Sequence, residues 1–548
     1  PILMGMNEGV FPAAPMGSVL LSDTDRVELE KNGIAVPTLR QWTNREQFLA
    51  YVLFTRSRER IVVSYSAADA DGKASNPSPF IGQLRRLLPG LKVELSKGSQ
   101  NWIDSDHLCD LTPYLLRTLA ETKERQDPDL QTFLNLPKVC ELRESLNQFE
   151  KVERLDKLSP ALAELIYGRD LKTSVSRMEQ FAACPFKFFV HSGLGAKERV
   201  KYEMDVRERG NFQHEVLEAF HHHLRSQGLR WRDIEPTAAR ELIKTLAAAR
   251  CLVFKNGLLQ STEEGRFAVR MMTESLQDFV EILVHWMRVQ YEFNPVAVEL
   301  AFDDKQRGLP SWRLDLGEGH QLVLNGRMDR VDVCSDPDAP GEVWCVVMDY
   351  KSGDKKLDDV LMRNGLQLQL PAYLKVLIQS SEAARQLGVS ELKPAGAFYV
   401  RLSGQYERGQ NRDEVQDDIP GDKRNAYAHK GRFDKELIPL LDQRAQAANG
   451  NPLKGDQFNF KLTKDGKTDK RQKDPMESKD FSSLLDQVET SLKQMGSRIF
   501  NGEAAVDPYR HRKQVPCQYC DYQSICRIDP WTHFYRALDQ AKDGGASK

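Results

Sequence analysis

Hydrophobic and polar positions alternate between two periods along this chain, and the changes of period divide it into blocks. In the first block, residues 1–90, Phe48, Leu49, Tyr51, Val52 and Leu53 recur at helical spacing. Thr43-Asn44-Arg45-Glu46 just before them reads as a capping box, in which the Thr hydroxyl and the Glu carboxylate take up free N–H groups. The β-branched run Ile61-Val62-Val63-Ser64-Tyr65 then reads as a buried strand. Residues 91–170 read as helical pieces and polar connections, with Thr112-Pro113 as an N-cap and first turn. A third block, 171–535, opens with a helix capped by Ser176 and Glu179 and continues through long amphipathic helices between about 203 and 292. Strand-like runs follow from 297 to 351, then a helix near 357–378 and the strand Gly396-Ala397-Phe398-Tyr399-Val400. This order predicts an α/β core rather than a repeat array. The stretches 403–431 and 461–479, rich in Lys, Arg, Asp and Gly, predict surface insertions or mobile loops, and 536–548 reads as a polar tail.

Charges interrupt the apolar pattern most informatively at two strand ends. Val346-Val347-Met348 runs into Asp349-Tyr350-Lys351, and in a strand Asp349 and Lys351 share a face while Tyr350 takes the other. Upstream, the strand Leu322–Asp332 carries Asp329 near its end. A hairpin turning around Ser335–Gly341 would bring Asp329 and Asp349 to one end of a sheet. Two converging carboxylates suit Mg²⁺ or Mn²⁺, and Lys351 is then placed to orient a water or stabilise developing charge. An isolated Asp-x-Lys is more often a solvated ion pair. Here, however, Gly210-x-x-x-His214-x-x-Leu217-Glu218 precedes the sheet on a helix, and Gln369-x-x-x-Tyr373 follows it with both side chains on one helical face.

Composition changes this picture in three ways. With 77 basic and 79 acidic residues the formal net charge is −2, so any nucleic-acid surface must be a local patch. No run of eighteen or more uncharged apolar residues occurs, which predicts a cytoplasmic protein without a membrane partner. Pro1 leads straight into a strand-like run, so the chain reads as part of something longer. Among nine cysteines, Cys517-x-x-Cys520-x-x-x-x-x-Cys526 lies near the end and Cys184 far upstream; four thiolates suit either zinc or a cubane iron–sulfur cluster. Cys109, Cys140, Cys251, Cys334 and Cys345 read as small apolar residues.

The ordered set His214, Asp329, Asp349-x-Lys351 and Gln369-x-x-x-Tyr373 resembles the RecB-type nuclease domain of the PD-(D/E)XK superfamily. That resemblance implies His214, Asp329, Asp349 and the Tyr350 carbonyl as metal ligands and Lys351 as the catalytic lysine. It also implies that Gln369 and Tyr373 contact DNA or that lysine. The layout of one early and three late cysteines resembles the branch of RecB-type nucleases closed by a [4Fe-4S] staple. At the front, Gly5-Met6-Asn7-Glu8-Gly9-Val10-Phe11-Pro12 and Leu49–Arg58 resemble the last motifs of UvrD-like superfamily 1 helicases, with Arg56 matching the arginine that reaches the γ-phosphate. Gln47, Phe48 and Ser57 depart from that pattern and argue against ATP turnover. Together these features resemble the subunit of AddAB-type helicase–nuclease complexes that pairs with the AddA motor. The resemblance covers about 1–66 and 174–530 and implies the C-terminal half of such a subunit, an AddA-like partner in a heterodimer, and single- and double-stranded DNA as substrates. It further implies cutting of the 5′-terminated strand during double-strand-break repair. The competing reading is a DNA-binding scaffold that recognises a hotspot sequence, with the nuclease secondary.

Weaker signals carry less. His221-His222-His223 reads as a solvated helix end. Gly466-Lys467-Thr468 is no phosphate-binding loop, since Lys461 stands where its first glycine should. The stretch Lys461–Lys473 could touch a DNA backbone, and Arg401, Tyr406, Arg408 and Arg412 could line a single-strand channel or sit in a mobile loop.

Overall fold

The structure is a computed structural model that describes residues 2–14, 21–69, 73–95, 107–112, 115, 132–153, 157–197, 206–304, 308–336, 339, 341–404, 424–447, 451–469, 471–512, 514–528 and 535–538. It divides into two compact units, Pro1–Val152 and Glu153–Lys548.

In the first unit, β1 (Ile2–Leu3) runs parallel to β2 (Val62–Val63), beside α1 (Asp23–Lys31), α2 (Leu39–Thr55) and α3 (Pro79–Leu87). Met6, Ala50, Phe80 and Ile81 form its small core. α2 starts earlier than the sequence pattern suggests, because Thr38 and Gln41 make the capping box. Thr43 lies inside the helix, bonding back to the Leu39 carbonyl, and Glu46 is buried and accepts the Ala13 N–H at 3.0 Å. The strand expected over 61–65 contracts to two half-exposed residues. Arg56 is exposed at the C-terminal end of α2. Another helix, α4 (Pro137–Glu153), packs Val139 against Leu111, Leu115 and Leu134. Pro113 lies outside the described residues.

The second unit is a sheet between two helical layers. After α5 (Pro160–Tyr167) come β3 (Asp170–Ser174), α6 (Val175–Ala183), α7 (Val206–Ser226), α8 (Pro236–Val253) and α9 (Glu263–Val289). Strands β4 (Asn294–Phe302), β5 (Trp312–Gly317), β6 (His320–Ser335) and β7 (Glu342–Lys351) follow, then α10 (Gln369–Gln379), β8 (Glu391–Arg401), β9 (Lys430–Asp434) and α11 (Ser478–Phe500). β6 is long enough to serve two sets of neighbours. Its first half pairs with β3 in parallel and β5 antiparallel, and its second half with β4 and β7, both antiparallel. The expected hairpin between Asp329 and Asp349 is therefore present. β8 runs parallel to β7, as a connection through α10 allows, and β9 and the short strand Pro475–Met476 extend the sheet beyond it.

Period two explains how β7 is buried on both faces. Val346, Met348 and Tyr350 enter a core with α7, α8 and α9, through Phe212, Phe220, Ile243, Phe279 and Leu283. Val343, Cys345 and Val347 face the core of α6, α10 and α11, through Met178, Phe181, Leu374 and Leu485. Inside the first core lies a fully buried ion pair. Arg330 donates to Asp332 from Nε at 2.7 Å and from Nη2 at 2.5 Å, and the Tyr291 hydroxyl adds a bond to Asp332 at 3.0 Å. The guanidinium also stacks over Trp231 at 4.8 Å.

Several sequence expectations change here. α6 is capped by Ser174, not Ser176, and Glu179 serves a different helix. The helix near 357–378 is two, Asp359–Arg363 and α10. Of 403–431, residues 405–423, with Tyr406, Arg408 and Arg412, lie outside the described residues, but Lys430 and Gly431 already belong to β9 and Tyr427 is buried. Within 461–479, Lys461–Leu462 pairs with Leu453–Lys454, and Gly466 sits at φ +69° in a tight turn closed by Thr463 and Lys467. His221 is not solvated: it is 2% exposed and its Nδ1 accepts the Trp231 indole N–H at 3.0 Å. Among the described residues, no helix is long and apolar enough to cross a membrane.

Removing one partner of a buried pair strands the other charge. Asp332→Ala should destabilise the second unit by about 3–5 kcal/mol, read as a lowered urea midpoint in Trp fluorescence. A loss below about 1 kcal/mol would mean that Arg330 is neutralised by something else.

Candidate active site

The site forms where two strands part. Registered pairing of β6 and β7 runs from Ser335–Val343 to Arg330–Met348. One step beyond, the Asp329 side chain takes over from the ladder, its Oδ2 accepting the Tyr350 N–H at 2.7 Å. Asp349 continues the Cys345–Val347 face toward α10, and Lys351 on the same face places Nζ 2.5 Å from its Oδ2. The Tyr350 ring lies on the opposite face, edge-on to His214 and Phe279 at 5.7 and 6.0 Å.

Helix α10 fixes the second oxygen of Asp349. Gln369 Nε2 donates to Asp349 Oδ1 at 3.0 Å and to the Tyr373 hydroxyl at 3.3 Å, so the i, i+4 pair meets as expected but braces the carboxylate rather than Lys351. α10 is itself held by Glu179 of α6, whose Oε1 accepts the Leu368 and Gln369 N–H groups at 2.6 and 2.9 Å. A carboxylate there satisfies free amides and meets the positive end of the helix dipole.

α7 brings in His214. Its Nδ1 lies 3.0 Å from Glu299 Oε1 and 3.7 Å from Asp329 Oδ1. Sequence reasoning missed Glu299. It falls opposite Asp329, between the registered pairs Val298–Arg330 and Leu300–Met328, and takes φ +49°, a left-handed conformation rare for a residue with a side chain. It is the lone carboxylate in Val296-Ala297-Val298-Glu299-Leu300-Ala301-Phe302, and that interruption is the signal that could have found it.

Ligand atoms of His214, Glu299 and Asp329 lie within 4.8 Å of one another, a donor set of imidazole and carboxylate oxygen that fits a divalent cation. Asp349 adjoins this group with both oxygens already engaged, so a cation shared by Asp349 must compete with Lys351. Burial and the neighbouring Asp349 push the Asp329 carboxyl up to about 7, against the pull of His214. Burial alone would lower His214, but Glu299 and Asp329 outweigh it and leave the imidazole above its usual range. Lys351 follows the same logic: desolvation lowers its pKa, and Asp349 more than restores it.

The four singled-out cysteines also converge. Cys184 follows α6 directly, Cys517 lies in the turn Pro516–Tyr519, and Cys526 ends the short helix Gln523–Cys526. All four, Cys520 included, are free thiols lining one small cavity with Phe186 and Tyr522. Burial raises Cys184, with Cys520 adding to it, and brings Cys517 up to about 11, with the other three sulfurs adding there.

Residues 172–527 match the family model of the PD-(D/E)XK nuclease superfamily, and the chain belongs to it. Nucleases of this superfamily use divalent metal ions. Over 96% of its length the chain is 31% identical to a Moorella thermoacetica protein named as a subunit of an ATP-dependent helicase/deoxyribonuclease. Proteins of the same name from Symbiobacterium thermophilum and Caldanaerobacter subterraneus are 30% and 28% identical over 96% and 99% of the chain. The chain spans about half the length of these relatives, 45%, 46% and 47% respectively.

A carboxyl with a pKa near 7 is neutral below that pH and must lose its proton to bind a cation. Mn²⁺ affinity should therefore rise from pH 6 toward pH 8, with a slope of about one to two decades per pH unit below 7, since His214 also gives up a proton. Calorimetric titration at the two pH values reads this directly, and a flat profile would refute shared ligation by Asp329 and His214.

Proposed function

We propose that this chain is the nuclease-bearing part of an AddB-type subunit, hydrolysing DNA phosphodiester bonds in an Mg²⁺- or Mn²⁺-dependent reaction. The observation that carries this reading is the Asp349–Lys351 pair lying beside His214, Glu299 and Asp329 at the ends of adjacent strands. His214, Glu299, Asp329 and Asp349, with the Tyr350 carbonyl, would hold the cation. When bound, such an ion lowers the pKa of water and neutralises charge on a phosphoryl oxygen. Lys351 then orients the attacking water or stabilises the charge that develops. Gln369 and Tyr373 keep Asp349 in position, so that little reorganisation is needed as the reaction proceeds.

The names of the relatives support a place in a larger machine. We assign the motor to an AddA-like partner, and the front block to a helicase-like remnant that does not turn over ATP. In this reading the complex is cytoplasmic, resects double-strand breaks, and uses this site as an exonuclease on the 5′-terminated strand. The cysteine quartet would hold a [4Fe-4S] cluster as a structural staple, supported by four soft donors around one cavity.

Asp349→Ala should abolish Mg²⁺-dependent cutting of end-labelled DNA while leaving DNA binding within about twofold; full cutting by the variant would sink the assignment. Protein purified without oxygen should contain iron and sulfide and be brown. Stoichiometric zinc without iron would replace the cluster with a zinc site.

A further inference from the structure

Beyond Lys351 the chain turns off β7 and passes back over β8, and this turn carries a second lysine toward the site. Tyr399 of β8 is the registered neighbour of Asp349, so the two side chains share a face. The Lys355 ammonium sits over the Tyr399 ring at 4.5 Å, and Lys351 reaches the same ring at 6.0 Å. Tyr399 is 2% exposed, and its hydroxyl has no hydrogen-bond partner among the described residues.

Lys351 is spoken for by Asp349. Lys355 is different: among the described residues no carboxylate lies within ion-pair distance of it, although Glu179 and Asp349 both act on it from further away. Desolvation lowers its pKa, Glu179 draws it up, and Lys351 presses it down again. A half-buried ammonium held beside an aromatic face, next to another ammonium and without a direct counter-ion, is arranged to receive an anion from outside. The anion that a nuclease site meets is a backbone phosphate. Lys351 already covers the group nearest Asp349, so the charge at Lys355 falls on a neighbouring position along the strand. Arg401, the registered neighbour of Lys351, carries positive charge along the same strand ends, although its guanidinium is engaged by Ser403 and Gly404.

We propose that Lys355 is a DNA-binding residue that grips the backbone phosphate adjoining the one being cut, with the Tyr399 ring as its platform. This rests on the nuclease reading above. A phosphate contact made equally before and during reaction changes binding and not turnover.

The test uses the whole chain with an end-labelled single-stranded oligonucleotide, Ca²⁺ replacing Mg²⁺ while binding is measured. Lys355→Gln should weaken binding about fivefold at low salt and make log K against log salt shallower by about 0.7. With Mg²⁺ restored, KM should rise by the same factor and kcat stay within about twofold. Lys355→Arg should retain both. Unchanged affinity and salt slope in a Lys355→Gln chain that still cuts would overturn the proposal and leave the nuclease reading standing. A fall in kcat with an unaltered salt slope would also overturn it, because Lys355 would then only support Glu179. Lys355-dependent binding by a wild-type chain that cuts with neither Mg²⁺ nor Mn²⁺ would support the phosphate contact and reject the nuclease reading. A chain that binds no DNA removes both.

Discussion

Three carboxylates, from Glu299, Asp329 and Asp349, are crowded into one corner where β6 and β7 separate, and the surrounding structure is organised around the repulsion this creates. At an effective dielectric of about 20, two like charges 4 Å apart repel by about 4 kcal/mol. The fold answers each oxygen in turn. Tyr350 N–H and His214 serve Asp329, Gln369 and Lys351 serve Asp349, and His214 and Arg327 serve Glu299. Burial first, and the charge of Asp349 after it, still hold the Asp329 carboxyl above its ordinary range. A divalent cation would offset the like-charge part of that burden, so the crowding itself favours a cation at this corner.

Holding such a corner requires both helical layers. The layer of α7, α8 and α9 contributes His214 and buries the back of β7 under Phe279. The opposite layer contributes Gln369, and its placement is inherited from Glu179 on α6. α6 ends at Cys184, so one nine-residue helix has a cysteine of the quartet at its end and the cap of α10 along its length. Arg536 of the C-terminal segment donates to the Ala182 carbonyl at the end of the same helix. Tyr522, between Cys520 and Cys526, adds a bond to the Ala196 carbonyl at 2.9 Å and ties that segment to the chain beyond the short helical turns Pro185–Phe188 and Phe189–Gly193 that follow α6.

Local pattern was enough to place most of the site. Period two put Asp349 and Lys351 on one face, helical spacing paired Gln369 with Tyr373, and the hairpin brought Asp329 alongside. Glu299 escaped because its position depends on a left-handed backbone residue inside a strand, a conformation that residue type does not announce. Glu179 was misread for a related reason. A carboxylate after a serine suggests a cap on its own helix, whereas the amides it serves lie about 190 residues away. His221 shows the same limit from the polar side. Trp231 gives the imidazole a buried partner, so a residue that reads as solvated is interior. Polarity in sequence reports the need for a partner, not whether that partner is water.

The same distinction governs how a chain with a net charge of −2 would meet the polyanion that the proposed function assigns to it. Total charge is an average over a surface, while a phosphate responds mainly to charges within about one Debye length, 8–10 Å at ordinary salt. Parallel pairing of β7 with β8 aligns Asp349 with Tyr399 and Lys351 with Arg401, and antiparallel pairing of β9 adds Lys430 opposite Tyr399. Strand register thus gathers positive groups drawn from distant parts of the sequence onto one edge. Pairing then sorts them: Lys430 is held by Asp354 and Lys351 by Asp349, which leaves the field at that edge to depend on the few cations without a close carboxylate. Composition cannot register this, because counting weighs a neutralised lysine and an available one alike.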